Sequence, residues 1–579
     1  MEERIRGDAK KIQWKEWSKE AFDLAKKLDK PVLLDLSAVW CHWCHVMDTT
    51  SYSDPEIIKR INEDYIPIRV DIDQRPDISE RYNFGGYPTT AFLTPRGEVI
   101  VGGTYIPPET LKRVLKQVLD LYKKKGKEKP KAKRVEEPFK PQKVKLEESI
   151  IWNIAYYIAS DFDNEFGGFG SESKFPSPDA IDLSLFMYRY TDNKGFLKIA
   201  TKTLEGIIEG LEDKIEGGFY RYSVARNWKV PHYEKMLETN AGLIMNSLHL
   251  YDQTKDDIYR DSAERALEYV NKNLQDDLGG FYGSQDADEE YYKLSLEQRA
   301  PRASPHIDRT IYTNWSAMMT ITFLEAYSVI ENEDYLRIAI KSIESLLGRC
   351  YRKGEGMYHY FDSKARIQDL LTDQVYTASC LMKASEVTGN NKYIQYALDI
   401  ADYTIKTLGD ASGGFFDKVF DPEEIGALRL QQKPLIENSV ASECLVKLSQ
   451  FTGREDYLSK AESTLSHLSA VYQKYGILAS RYALAVLLFL QPVQIVIVGS
   501  KDSRRVKEFI QKNIKPYDPR KTIITLDPIM DQELISRLGY PTKGEAVAYV
   551  CAGKVCSQPI LEPDLVVKTI EEQSKRVSG

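Results

Sequence analysis

The sequence predicts an α/β N-terminal domain, then an all-α (α/α)6 toroid, then a small α/β appendage. Three observations predict this order. Strand-like and helix-like patterns alternate over residues 1–122, a Gly-Gly-aromatic unit recurs between residues 146 and 490, and about twelve amphipathic segments keep step with it. Strands alternating with helices build layered α/β domains, whereas repeated helical hairpins stack into solenoids or close into rings.

In the N-terminal domain, Trp14 to Leu28 has helical spacing, and Pro31 to Leu36 is an apolar run of strand length. Pro55 to Tyr65 is helical, while Tyr65 to Val70 and Thr89 to Leu93 are strands. Arg96-Gly97 turns into a strand at Glu98 to Val101, and Glu109 to Tyr122 closes the domain as a helix. Residues 123–145 then change character, with eleven Lys or Arg, three Glu and three Pro. A segment with so little apolar content cannot offset its ordering entropy and is expected to be a solvated linker. Its charge of +8 within a chain of −7 leaves −15 on the remainder.

The repeat defines the next region, residues 146–490. Gly167-Gly168-Phe169, Gly217-Gly218-Phe219, Gly279-Gly280-Phe281 and Gly413-Gly414-Phe415 are clear copies. Gly356-Met357-Tyr358 and Tyr475-Gly476-Ile477 are weaker ones. A second motif, an aromatic with Ala four residues later, keeps the same beat at Phe196/Ala200, Tyr259/Ala263, Tyr335/Ala339, Tyr393/Ala397 and Tyr457/Ala461. That spacing puts each pair on one helix face. Helical segments are expected near 146–160, 178–191, 195–210, 234–253, 257–273, 311–331, 334–347, 371–388, 391–407, 437–452, 454–470 and 477–490. Closure is preferred over an open solenoid, because six hairpins with a common Gly-aromatic loop resemble the six-hairpin glycosidase-like architecture. Antiparallel neighbours place every long loop at one end of the ring, which is where a pocket should lie.

Residues 491–579 complete the chain, with strands at Val493 to Val498 and Thr522 to Leu526 and a helix at Ser503 to Lys512. A hairpin from Ala546 to Ile560 is expected to turn at Ala552-Gly553, placing residue 551 opposite 554 and leaving Cys551 and Cys556 reduced. Cys350, Cys380 and Cys444 lie on or beside helices and are expected to be core packing.

Composition narrows the function class. With 42% hydrophobic and 28% charged residues the chain is an ordinary globular one. No apolar run approaches the ~18 residues of a membrane span. A net charge of −7 offers no general nucleic-acid footprint. Seven cysteines in 579 residues are too few for a disulfide scaffold. The expectation is a cytoplasmic protein with no cofactor, no membrane and no nucleic-acid partner, acting on a protein disulfide or a small molecule.

The sharpest chemistry lies in Trp40-Cys41-His42-Trp43-Cys44-His45, between a buried strand and a helical stretch. A sulfur at a helix N-terminus is stabilised as thiolate by the helix dipole, and a protonated His42 adds to this. Cys44, one turn along, is placed to resolve a mixed disulfide. Asp35, in the preceding strand, is a candidate for moving a proton during exchange. If the Tyr87–Pro88 bond is cis, it sets a backbone edge against the sulfurs. Zinc is the competing reading of Cys41, His42, Cys44 and His45, but four ligands within five residues rarely close one tetrahedron.

VLLDLSAVWCHWC resembles the thioredoxin pattern of strand, buried Asp, Trp and Cys-x-x-Cys, and GGYPTTAFL resembles its cis-proline strand. The resemblance implies Cys41 as nucleophile, Cys44 as resolving thiol, Asp35 as buried base and Pro88 as the substrate-side proline. CHWCHVM, VDIDQRPDI, GGTYIPP, GGFGSESKFPSP, GGFYRYSVARNWKVPHYEKMLETNA and GSQDADEE are similar to the spermatogenesis-associated protein 20 / YyaL family. The likeness runs over residues ~10 to 480. That family joins a thioredoxin-like domain to a six-hairpin, epimerase-like toroid. Asp35 and Tyr87 depart from the small polar residue and the Trp often found there; Asp35 brings this chain nearer to ordinary thioredoxin.

The long toroid loops also concentrate ionisable and aromatic residues. Opposed carboxylate or His/carboxylate pairs suit acid/base work on a sugar, with aromatic rings stacking on its apolar face. The resemblance singles out His232, Glu234, Asp286 and Asp288. The competing reading of such carboxylates is helix capping. Three functions are therefore carried forward: a thiol–disulfide oxidoreductase at Cys41/Cys44; a sugar epimerase, isomerase or glycosidase in the toroid; and a non-catalytic scaffold or redox sensor.

Overall fold

The computed structural model describes residues 6–125, 145–515, 517–541, 544–553 and 555–577. The expected linker falls mainly on residues 126–144, outside the described residues. Lys123–Lys125, assigned to that linker from their charge, are instead the last residues of a helix.

The N-terminal domain is built from α1 (Lys19–Leu28), β1 (Val32–Ser37), α2 (His42–Thr49), α3 (Pro55–Asp64), β2 (Ile66–Asp71), α4 (Pro76–Tyr82), β3 (Thr89–Leu93), β4 (Val99–Gly103) and α5 (Pro108–Lys125). The sheet order is β2-β1-β3-β4, with β1 parallel to β2 and antiparallel to β3. β1 is buried on both faces, as its apolar run requires. The first helix starts at Lys19 rather than Trp14. Ser18 caps it by accepting from the Ala21 N–H, and Lys15 pairs in extended form with Ile68 at the sheet edge. This is a thioredoxin-like fold.

Next come α6 (Ser149–Asp161), α7 (Pro178–Thr191), α8 (Lys194–Gly210), α9 (Leu237–Thr254), α10 (Asp257–Asn273), the short α11 (Glu289–Tyr292) and α12 (Leu296–Arg299), and α13 (Thr313–Ile330). α14 (Glu333–Cys350), α15 (Leu371–Thr388), α16 (Lys392–Leu408), α17 (Leu435–Thr452), α18 (Glu455–Leu468) and α19 (Ser480–Leu490) follow. Packing sorts them into two rings. α7, α9, α13, α15, α17 and α19 touch in sequence, and α19 returns to α7. α8, α10, α14, α16 and α18 each back the inner helix that precedes them, and α6 backs α19. The toroid is therefore closed, and its sixth hairpin is made from the first and last helices of the region. Burial follows the ring: thirteen of the eighteen residues of α13 are buried, against six of the eighteen in α14.

The Gly-Gly-aromatic unit has a physical cause. Gly217 has φ 81°, and a Cβ there would stand 2.4 Å from the carbonyl oxygen of Arg265 on α10. Gly167 and Gly413 meet the carbonyls of Lys202 and Ser463 in the same way. The chain must cross close to the next outer helix in a left-handed turn, which only glycine permits without strain. The following Phe219, Phe281 and Phe415 are core residues. Asn240 on α9 accepts from the Phe219 N–H and donates back to its carbonyl; Asn438 does the same for Phe415, and Gln374 for Met357.

In the C-terminal region, strand Val493–Val498 lies parallel to Lys521–Leu526 and antiparallel to Val547–Ala552, which pairs with Val555–Cys556. The expected pairing of 551 with 554 is corrected. Cys551 stands directly opposite Cys556, and the two form a disulfide, because the turn lies between Ala552 and Val555. Cys350, Cys380 and Cys444 are buried free thiols, as expected. No helix among the described residues is long and apolar enough to cross a membrane.

Gly217→Ala should lower stability by about 3 kcal/mol, since left-handed strain adds to a backbone clash. Gly354→Ala, at φ 74° with open space around it, should cost only about 1 kcal/mol. Thermal unfolding midpoints of the two variants check the difference.

Candidate functional site

Strand β1 delivers Trp40 and Cys41 to the start of α2, where Cys41 is the N-cap and its Sγ accepts from the Cys44 N–H at 3.2 Å. Cys41 and Cys44 are joined as a disulfide. The Tyr87–Pro88 peptide is cis and leads into β3, beside β1. Both cysteines are only 3% exposed. His42 is half-buried, and its neighbour Trp43 is exposed and packs against Tyr105.

Asp35 is not a free carboxylate. Its Oδ2 accepts from Arg69 Nε at 2.6 Å and its Oδ1 from the Tyr52 hydroxyl at 3.3 Å. The same guanidinium reaches Asp48 and lies over the Trp14 ring, so one buried cation holds two acids. Burial raises the Asp35 pKa to about 6, and Arg69 pulls against that rise.

The toroid's loop end closes over this motif. Arg221 stacks its guanidinium on the Trp40 ring at 4.2 Å. Asp286 lies 3.6 Å from His45 Nδ1, and its Oδ2 also accepts from Arg6 at 2.6 Å. Burial raises Asp286 to about 7, with Arg6 opposing, and lowers His45 to about 3. Among the described residues, Oδ1 of Asp286 has no hydrogen-bond partner, and neither has Oε2 of Glu234, although the two residues are only 4% and 2% exposed. Glu234 Oε1 is 3.5 Å from His232 Nδ1, and the His232 ring stacks on Tyr222. Asp288 caps α11 by accepting from the Tyr291 N–H at 2.9 Å. Thus His45 and Asp286 come together at the disulfide helix, His232 and Glu234 form a second pair, and Asp288 serves its own loop.

A chamber of about 230 Å³ lies between the two domains. The N-terminal domain contributes Asp73 and Glu80, and the first turns of α9, α13, α15 and α17 contribute Glu238, Trp315, Thr372 and Glu437. Trp40, adjacent to Cys41, donates through Nε1 to Asp73 Oδ2 at 2.6 Å. His359 forms another wall, bonding the Asp73 carbonyl at 2.7 Å and the Asp373 carboxylate at 3.0 Å. Enclosure around the chamber raises Glu80 to about 7, with Glu437 adding to the rise, and raises Glu238 and Glu437 as well, although Glu80 and Glu238 keep surface open to solvent. None of these chamber residues stood out in the sequence. The signal that finds Glu238, Trp315, Thr372 and Glu437 is their shared position in the first turn of successive inner helices.

Residues 5–138 match a family model described as a protein of unknown function, DUF255. The chain is homologous to human spermatogenesis-associated protein 20, 25% identical across 95% of this chain and 89% of that protein. Thioredoxin-1 of Drosophila melanogaster is 31% identical over 65 residues, 11% of this chain and 58% of that one. The cellobiose 2-epimerase structure from Spirochaeta thermophila superposes with TM-score 0.49 at 13% identity, covering 59% of this chain and 96% of that chain.

Because Asp286 keeps its proton to higher pH when folded than when unfolded, its contribution to stability falls as pH rises from about 4 to about 7. Asp286→Asn should flatten the decline in unfolding free energy over that window by up to about 1.4 kcal/mol per pH unit. Denaturant titrations at stepped pH read it.

Proposed function

We propose that the protein is a thiol–disulfide oxidoreductase whose reacting pair is Cys41 and Cys44. The observation that carries this reading is Cys41 as the N-cap of α2, receiving an N–H from Cys44 at 3.2 Å on a thioredoxin-like sheet beside a cis proline. In the reduced form the Cys41 thiolate attacks one sulfur of a substrate disulfide, and the other substrate sulfur leaves with the electron pair and takes a proton. Cys44, deprotonated, then attacks Cys41 and releases the second substrate thiol. The substrate gains two electrons, and the enzyme is left as the Cys41–Cys44 disulfide, which an external thiol reductant returns to dithiol. His45, uncharged through burial, and Asp286, with one oxygen unpartnered, form a proton acceptor one residue beyond Cys44.

The toroid takes part by controlling access. Contacts from Arg221 and Asp286 close over the motif, so a bulky disulfide requires the loop end to part from α2. Cys41→Ser should abolish disulfide reduction, and Cys44→Ser should trap a mixed disulfide visible by mass spectrometry. Arg221→Ala should speed reduction of a protein disulfide several-fold while leaving a small disulfide little changed. An intact, reduced protein that reduces neither substrate overturns the reading.

A second reading rests on the chamber. Glutamates beside a tryptophan ring suit a small hydroxylated substrate, and Glu238 or Glu437 would act as acid or base in a sugar epimerase, isomerase or glycosidase. A sugar panel with Glu437→Gln and Trp315→Ala tests it. Sugar binding by the parent, weakened at least ten-fold in both variants, supports it; binding of no sugar by the parent overturns it.

A further inference from the structure

The C-terminal region repeats the N-terminal sheet. In both, the first strand lies parallel to the second and antiparallel to the third, and a fourth strand pairs antiparallel with the third at the edge. Helix Arg504–Ile514 follows the first strand, and Ser503 caps it by accepting from the Val506 N–H, as Cys41 accepts from Cys44. Ser503 to Val506 thus occupies the position of the dithiol, and this second thioredoxin-like sheet has no sulfur there.

Its sulfurs lie elsewhere. Cys551 and Cys556 face each other across the third and fourth strands and are bonded. Cys551 is buried, whereas Cys556 is exposed on the edge strand. The Tyr540 hydroxyl stands 3.6 Å from Cys551 Sγ. A disulfide spanning four intervening residues restrains the unfolded chain far less than one closing a long loop, so it is a weak staple. We propose that Cys551–Cys556 is a second redox-active disulfide, which exchanges with thiols in solution independently of Cys41–Cys44.

The asymmetry in exposure sets the direction of attack. An incoming thiolate reaches Sγ of Cys556, the intramolecular bond breaks, and the electron pair leaves on Cys551 Sγ, to which the Tyr540 O–H donates. A second thiol then attacks the incoming sulfur, frees Cys556 and completes a new disulfide between the two donors. Two thiols are oxidised to one disulfide, and the protein pair gains two electrons and two protons.

The two sulfur pairs lie at opposite ends of the toroid. The N-terminal domain meets the long-loop end through Tyr82 and Ala427, while the C-terminal region meets the α15–α16 turn through Thr525 and Asn391. Cys41 therefore does not serve the second pair within its own chain.

The test uses the full chain carrying Cys41→Ser and Cys44→Ser, equilibrated in buffers of stepped reduced-to-oxidised glutathione ratio, acid-quenched, alkylated and read by peptide mass. The expected result is a reversible transition of two thiols on the peptide bearing 551 and 556, with circular dichroism unchanged. Cys350, Cys380 and Cys444 should stay unlabelled until denaturant is added. Tyr540→Phe should slow reduction several-fold and leave the end point in place. Alkylation of Cys551 and Cys556 as free thiols in every buffer overturns the proposal, as does a disulfide that yields only when the protein unfolds. An unchanged rate in Tyr540→Phe overturns the role given to that hydroxyl.

Discussion

Contact of α19 with α7 on the inner ring, and with α6 behind it, is the constraint from which the layout of the molecule follows. Without it the hairpins form an open stack whose loops fan apart. With it, the first turns of the inner helices converge on one axis, and side chains far apart in sequence, such as Glu238 and Glu437, enter a common chamber. The N-terminal domain covers the mouth of that chamber. Its α4 and the segment before it close that mouth with Asp73 and Glu80.

Charge is handled differently on the two sides of this junction. Within the N-terminal domain, Arg69 satisfies Asp35 of the sheet and Asp48 of α2 together, so both buried acids are paired. In the toroid loops a Lys–Asp pair recurs, Lys174 with Asp163, Lys235 with Asp213 and Lys433 with Asp410, and ties three of the four Gly-Gly turns in place; at Gly279-Gly280 Asp276 pairs with Arg349 instead. Between the domains the pairing is incomplete: Arg81 pairs with Asp417 and Arg6 with Asp286, yet among the described residues Asp286 and Glu234 each keep an oxygen without a partner. Removing a carboxylate from water without full compensation is costly, so folds seldom retain such groups without a use for them.

Much of this was legible in the residues. Twelve helical segments, the Gly-aromatic beat and the Cys-x-x-Cys junction were read from spacing alone, because each is a local signal with a local cause. Gly217 must be glycine for its own φ and for the carbonyl above it, and both demands act on a single position. The chamber was not legible, since Glu238, Trp315 and Glu437 are unremarkable within their own helices and gain meaning only when the ring brings them together. The same holds for His359, whose partners Asp73 and Asp373 lie in different domains. Asp286 stood out in the sequence, but its neighbour His45, 241 positions earlier, could be paired with it only in three dimensions. The C-terminal hairpin was misregistered by two residues because alternation along one strand leaves the partner's offset open.

The sixth hairpin, made from the two ends of the toroid, has a consequence for biosynthesis. α6 leaves the ribosome with Ile150, Ile151, Ile154 and Ile158 on the face it will bury. Part of the surface that covers them belongs to α19, which starts at Ser480, more than three hundred residues later. At about 5–20 residues per second, that is an interval of roughly 15–65 s in which an apolar stripe waits for its partner. The helix left waiting for its partner in a nascent chain is therefore the one that follows the thioredoxin-like domain, and its protection depends on the last helix of the ring being made.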